Sequence, residues 1–273
     1  MTSNLRVAGM ALAALFALAH GGLGQPPQVA VQISPYLLRL THRAVVDLGA
    51  GVIEAEGVST RVEAPPAVQA AREARQDALD NLREALPLLP TDGRSRVADW
   101  DPGRLEVVLE AALEAPIVAE WDDAEGRVHA VARLELWEGP DSLLALLLDL
   151  AGQPETEPTE APLPALIVEL RGAEPIGFAL LPRLLLSGQD EPALTEHWRA
   201  LARGMPPTAY APGMAKALAM LKEGQPSVVL YGRPDPENGI DVLLDGDSLE
   251  RLEAAHLPLS FEAIDRVILT LGP

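Results

Sequence analysis

Between Asp235 and Asp247 the side-chain oxygens of Asp235, Glu237, Asn238, Asp241, Asp245 and Asp247 crowd into one short stretch. Oxygen at that density could gather calcium, which takes about six to eight such ligands. The order D-x-[DN]-x-[DN]-G of an EF-hand loop fails at every offset, however. Asp247, with Glu250 three residues on, also has the spacing of a helix capping box. Turn and cap duties account for most of the stretch and leave Asp241, Asp245 and Asp247 as weak calcium candidates. Asp122, Asp123 and Glu125 form a second acidic group, with the composition of a hairpin turn.

Other chemistry is sparse. His42, His129, His197 and His256 are far apart, without H-x-x-x-H or H-E-x-x-H spacing, and zinc needs several convergent ligands. They read as surface or helix-tail residues. There is no G-x-S-x-G elbow and no cysteine, so no nucleophile is marked. Neither a G-x-x-x-x-G-K-[ST] loop nor a G-x-G-x-x-G turn is present to cradle phosphate. Among 40 acidic residues a carboxylate pair suited to glycoside hydrolysis can always be found, so its presence says nothing. Trp100, Trp121, Trp137 and Trp198 could line a ligand groove, although core anchoring suits most of them better. No catalytic and no cofactor-binding residue is singled out, and no cofactor is implied.

The elements that would position these residues begin with a strand over 52–58 and a helix over 67–86. In the helix Ala71, Ala74, Ala78, Leu82 and Leu86 recur at steps of three and four, opposite Arg72, Glu73, Gln76, Asp80 and Arg83. Such a helix lies on something flat, and a strand delivering it back onto a sheet is the simplest arrangement. Ahead of it, VAVQI and then a helical turn are expected between Val29 and Asp47. Asp101-Pro102 has the form of an N-cap with proline at the first helical position, for a helix through Leu113.

A hairpin follows over 116–137. Val128, Ala130, Ala132, Leu134 and Leu136 alternate with Arg127, His129, Arg133 and Glu135, the pattern of a half-buried strand. If this apolar face meets Trp121, Ala119 and Ile117, then Asp122 pairs with Arg127 across a four-residue loop, and Trp121 pairs with Val128. Asp141 is expected to cap the leucine-rich helix that follows. Residues 240–271 have the length of a β-α-β unit, with strands over 240–244 and 266–271 joined by a helix capped at Asp247. Further strands are expected over 165–171 and 227–231, and helices near 195–203 and 214–222.

Arg6 followed by the small and apolar run Val7–Ala19 reads as a secretory signal, cut after Gly24. The run is short of the about 20 apolar residues that span a bilayer. Residues 153–164, with four prolines and three glutamates, suit a stiff linker. The expectation is therefore an α+β (or α/β) protein: signal peptide 1–24, an N-terminal α+β domain 25–152, the linker 153–164, and a C-terminal α/β domain 165–273. Each domain would be a mixed or antiparallel sheet packed with helices. The formal net charge of −19, from 21 basic and 40 acidic residues, repels phosphate backbones and anionic lipid, which argues against nucleic acid as a partner.

The strand GVIEAEG ahead of AREARQDALDNLREAL resembles a small bacterial envelope lipoprotein family, the twenty-kilodalton LPP type. That family carries a V-x-A-x-G strand and an A-x-x-A-x-x-D-A-x-x-N-L helix, and the module is also similar to the N-terminal part of flagellar assembly protein T. The matching positions are Val52, Glu54, Gly57, Ala71, Asp77, Ala78, Asn81 and Leu82. In the second half LIVELRG, LLPRLL and IDVLL…RVILTL resemble the C-terminal portion of longer relatives. The family's anchoring cysteine is absent, so the lipid anchor does not carry over. The resemblance implies an envelope protein with a binding or assembly role, and it supplies no active-site residues.

The expected function is thus that of an exported, non-enzymatic cell-envelope protein, periplasmic or extracellular, that binds a partner protein or surface. It would have no transmembrane segment once the signal is removed. A secreted hydrolase using a carboxylate pair or a calcium-assisted site is the alternative, and a carrier of a small apolar ligand is a third reading.

Overall fold

The computed structural model describes residues 31–34, 37–60, 67–136, 141–148, 163–171, 177–186, 208–255, 264 and 266–270. The expected signal segment, residues 153–162 of the expected linker and the expected helix near 195–203 lie outside them.

The first half is an antiparallel sheet with a long helix across it. Its strands are β1 (Val31–Ser34), β2 (Leu37–Arg39), β3 (Ala44–Asp47), β4 (Val52–Val58), β5 (Ile117–Asp122) and β6 (Val128–Glu135), in the order β1-β2-β3-β4-β6-β5. Where a helical turn was expected before Asp47, the chain instead makes the narrow strands β2 and β3. Leu38, Val46 and Leu40 are buried there, and Leu40 N–H donates to Ala44 O at 3.0 Å to close the turn. Helix α1 (Ala67–Ala85) buries Ala70, Ala74, Ala78, Leu82 and Ala85 against β4 and β6. Its polar face stays in water, as the spacing requires.

Two side chains of α1 tie it to β4. Asp77 accepts the Val58 N–H at 2.8 Å and pairs with Arg43, and Asn81 donates to Glu56 O at 2.8 Å. Gly57 lets the helix come this close, since a Cβ there would sit 2.1 Å from Ala78 N and 2.2 Å from Ala74 O. Helix α2 (Pro102–Leu113) starts as its sequence says, with the Asp101 carboxylate accepting from Gly103 and Arg104 N–H. Helix α3 (Leu143–Leu148) does not. Ser142, not Asp141, is placed at its start, and its Oγ accepts the Ala145 N–H at 3.3 Å. Asp141 is exposed.

The β5–β6 hairpin departs from the expected register. Asp122 pairs with Val128 and Trp121 with His129, one residue away from the expected partners, while Ile117 keeps its expected partner Ala132. The loop is the reason. Asp123 N–H donates to Arg127 O at 2.9 Å and Gly126 adopts φ 79°, which makes a tight three-residue turn ending in a left-handed glycine. A bulge between Ile117 and Ala119 absorbs the extra residue. Trp121 consequently lies on the face of the sheet away from α1.

The second half is a mixed sheet in the order β8-β11-β10-β7-β12-β9. Its strands are β7 (Ala165–Leu170), β8 (Leu184–Leu186), β9 (Thr208–Ala211), β10 (Ser227–Pro234), β11 (Val242–Leu244) and β12 (Arg266–Thr270). Strands β10, β7, β12 and β9 are mutually parallel, and β11 and β8 run the other way. Helices α4 (Met214–Ala219) and α5 (Gly246–Ala254) complete the half. The expected β-α-β unit over 240–271 is not formed, because β10 and β7 lie between β11 and β12 and β11 points opposite to β12. A local hairpin wins instead. Asp235 N–H donates to Asp241 O at 2.7 Å, and Gly239 at φ 67° donates to Asp235 O at 2.7 Å, folding β11 back on β10. Helix α5 opens at Gly246, so Asp247 sits inside the first turn and is not the N-cap.

The two halves share one core: Ile53, Ala78, Leu82 and Leu134 belong to the same buried cluster as Leu166, Val168, Leu230 and Leu269. Main-chain bonds also cross, from Leu180 N–H to Pro90 O at 3.0 Å and from Leu181 N–H to Thr91 O at 2.8 Å. No helix among the described residues is long and apolar enough to cross a membrane.

Candidate functional site

The acidic stretch 235–247 does not converge on a metal. Asp241 is fully buried, and its carboxylate accepts from Gly93 N–H at 3.1 Å, Arg183 N–H at 2.9 Å, Arg183 Nε at 3.0 Å and Asn238 Nδ2 at 2.9 Å, with Arg183 Nη2 as a further donor. An oxygen pair so occupied by donors has no lone pair left for a cation. Asp235 caps its own loop through Glu237 N–H and Asn238 Nδ2. Asp245 is half-buried at the start of α5, and Asp247 is exposed. Among the described residues no group of three or more His, Cys, Asp or Glu side chains could hold a metal ion. The structure places Asp241 in a buried ion pair with Arg183, and Asp245 and Asp247 at the start of α5.

Around Asp241 the two halves are joined. Gly93 belongs to the loop after α1, and Arg183 precedes β8. Tyr210, on β9, donates its O–H to Ala179 O at 3.1 Å, and burial pushes its phenol well up, which keeps that proton in place.

The sequence marked Asp123 only as a turn residue and His129 only as a surface one, yet the structure joins them into a half-buried polar chain that ends on the buried Glu56. On the face of the first sheet away from α1, His129 Nδ1 lies 2.7 Å from Glu56 Oε1 and Nε2 lies 3.1 Å from Asp123 Oδ2. Each ring nitrogen of His129 thus faces a carboxylate oxygen. Trp121 stacks on the imidazole, with centroids 5.0 Å apart and planes 14° from parallel. The register shift in the hairpin makes this contact, because the expected register would have sent Trp121 to the other face. Beside it Arg133 Nε donates to Glu54 Oε1 at 2.7 Å. Burial pushes the Glu54 carboxyl up, and the Arg133 charge and hydrogen bond only partly offset it.

At Asp123 burial opposes ionisation, but Arg127 N–H, His129, the Arg127 side chain and Glu125 N–H outweigh it and hold the carboxyl well below the usual range. A group whose folded pKa is depressed stabilises the fold fully above its unfolded value, about pH 4, and loses that contribution as pH falls toward the folded value. Asp123→Asn should therefore lower the Tm at pH 7, with a deficit that narrows steadily below about pH 4. Thermal melts across pH 2–7 check it; a deficit that stays constant with pH would show that the carboxylate charge is not what matters.

A cleft of about 570 Å³ opens between the halves. One wall is the β3–β4 turn, Asp47 to Gly51, and the other is Ala209, Tyr210, Pro212, Lys216 and Met220. The turn is held by Asp47, whose Oδ1 accepts Gly49 N–H at 2.9 Å and Ala50 N–H at 3.0 Å. Lys216 is exposed on α4 at the cleft edge. The lining mixes backbone, apolar side chains and the opposite charges of Asp47 and Lys216. Trp100 packs on the core, while Trp137, Trp198, His197 and His256 lie outside the described residues.

No protein-family model matches the chain, and no curated protein matches it.

Proposed function

We propose that this chain is an exported cell-envelope component that binds a partner protein and performs no catalysis of its own. The observation that carries the reading is the cleft between the halves, lined by the β3–β4 turn, Tyr210, Met220 and the exposed Lys216. Its walls offer a backbone surface and a charged rim, the chemistry of polypeptide recognition. The resemblance to the envelope lipoprotein family and to the flagellar assembly module supports the same reading. The positions it shares, Gly57, Asp77, Ala78 and Asn81, are those that join α1 to β4. The run Val7–Ala19 supports export.

The hydrolase reading draws on one observation, the Glu56–His129–Asp123 chain. Glu56 is only 2% exposed, so a substrate has no approach to it without unfolding the sheet face.

The test is a photo-crosslinking amino acid placed at Lys216 in the full-length protein, expressed in its own cells and fractionated. The expected result is a processed, exported protein that crosslinks to one discrete envelope protein, with the crosslink lost on adding Met220→Asp. A protein retained unprocessed in the cytoplasm would overturn the export reading. A crosslink pattern indifferent to Met220→Asp would overturn the assignment of the cleft.

A further inference from the structure

On one face of the second sheet, at the carboxyl-end corner of the central strands β7 and β10, Tyr231 is covered by two guanidinium groups, Arg171 Cζ at 3.5 Å from the ring centroid and Arg251 Cζ at 4.5 Å. Arg171 follows β7 directly, and its N–H donates to Gly232 O at 2.7 Å, which sets it beside Arg233 of the parallel strand β10. Arg233 shares the alternating outward face with Tyr231 and is exposed, as are Arg171 and Arg251. Helix α5 brings Arg251 to this place: Ser248 Oγ donates to Tyr231 O at 2.9 Å and accepts its N–H at 3.1 Å.

Two guanidinium groups thus share one ring, and Arg233 stands beside them on the same face of the sheet, in a chain that carries −19 overall. Among the described residues none of the three forms an ion pair, although Glu169 lies opposite Tyr231 in the ladder and Asp245 N–H bonds to Tyr231 O. Like charges on adjacent strands repel, so Arg171 beside Arg233 costs stability unless an anion sits between them. Stacking on Tyr231 holds two of the side chains in place, and Arg251 Nη1 also donates to Val229 O at 3.4 Å, which leaves the other N–H groups of that fork for a ligand. The corner is also at the carboxyl ends of β7 and β10, where open sheets with parallel strands take their ligands.

We propose that Arg171, Arg233 and Arg251, organised on Tyr231, form a binding site for a phosphate group. Guanidinium forks match tetrahedral oxyanions through paired N–H···O bonds, and a doubly charged phosphate answers three cations better than a single carboxylate does. The phosphate could come from a soluble ester or from a phospholipid headgroup; the recognition chemistry is the same.

The experiment titrates full-length protein with inorganic phosphate at constant ionic strength, by calorimetry, and in parallel floats it with phosphatidylglycerol or phosphatidylcholine vesicles. Wild type should bind phosphate, and Arg171→Gln with Arg251→Gln should weaken binding at least tenfold while Arg72→Gln, on α1, leaves it unchanged. Flotation with phosphatidylglycerol that phosphate competes away and the double variant loses assigns the site to a headgroup. Phosphate binding without flotation assigns it to a soluble ester. Equal phosphate isotherms for wild type and the folded double variant overturn the proposal, as does an equal response to chloride. Should the double variant not fold, Arg233→Gln, which makes no ring contact among the described residues, carries the same test: unchanged affinity overturns the site.

Discussion

Gly57→Ala is expected to cost about 3–5 kcal/mol, a large part of the about 5–15 kcal/mol that holds a domain folded. The added methyl would lie 2.1 Å from Ala78 N, 2.2 Å from Ala74 O and 2.7 Å from Asp77 C, all backbone atoms of α1. No rotamer change relieves such a clash. The helix must back away by more than an ångström, which separates Asp77 from Val58 N–H and Asn81 from Glu56 O and opens the contact of Ala74 and Ala78 with the sheet. Each stranded partner adds about 1–3 kcal/mol where it is buried. Urea unfolding measures it, with the midpoint falling and the slope unchanged. Because the obstruction is backbone, Ala78→Gly in the same chain should restore nothing. A loss below about 1 kcal/mol, or rescue by Ala78→Gly, would mean that the helix does not lie against Gly57.

Asp241→Ala should be comparably severe, about 3–5 kcal/mol, because it leaves the Arg183 charge buried without its partner. The side chain of Arg183 is 11% exposed and that of Asp241 is fully buried, so water cannot substitute for either. The loss also releases Gly93 N–H, Arg183 N–H and Asn238, and with them the loop of the first half that rests on the second. By contrast Asp245→Asn and Asp247→Asn, at half-exposed and exposed positions, should each stay within about 0.5 kcal/mol. Chemical denaturation of the three variants, with and without a chelator, distinguishes the ion pair from calcium. A chelator-dependent stability in wild type that Asp241→Ala abolishes would return the residue to a metal site.

Most local elements were legible because they rest on periodicity and on caps. Helix α1, the start of α2 at Asp101 and the alternation of β6 come from spacing and side-chain type alone, as does the α+β class. The hairpin shows the limit. Its strands were readable, but its register depended on one left-handed glycine, Gly126, and on a bulge at Val118 that no alternation reveals. The β10–β11 hairpin was hidden in the same way, because the loop acids that build it also resemble a ligand cluster. What joins residues distant in the chain left no trace: Glu56 lies 73 positions from His129, and Gly93 lies 148 from Asp241. The arginine corner was equally invisible, since Arg171, Arg233 and Arg251 come to one corner only when β7, β10 and α5 are assembled.

The position of β12 has a consequence for how the chain reaches this state. Residues 266–270 follow every other described strand in the chain, yet they lie between β7 and β9, with both edges paired. A ribosome therefore delivers the first sheet complete, with its neighbours close in sequence, long before the second can close. Until residues 266–270 emerge, no described strand joins β7 to β9, and the apolar edge of Ile167 and Val168 stands open to other chains. The waiting interval falls on the very segment whose apolar, parallel pairing forms slowly. A nascent chain stalled just short of Arg266 would thus carry a finished half and an adhesive one.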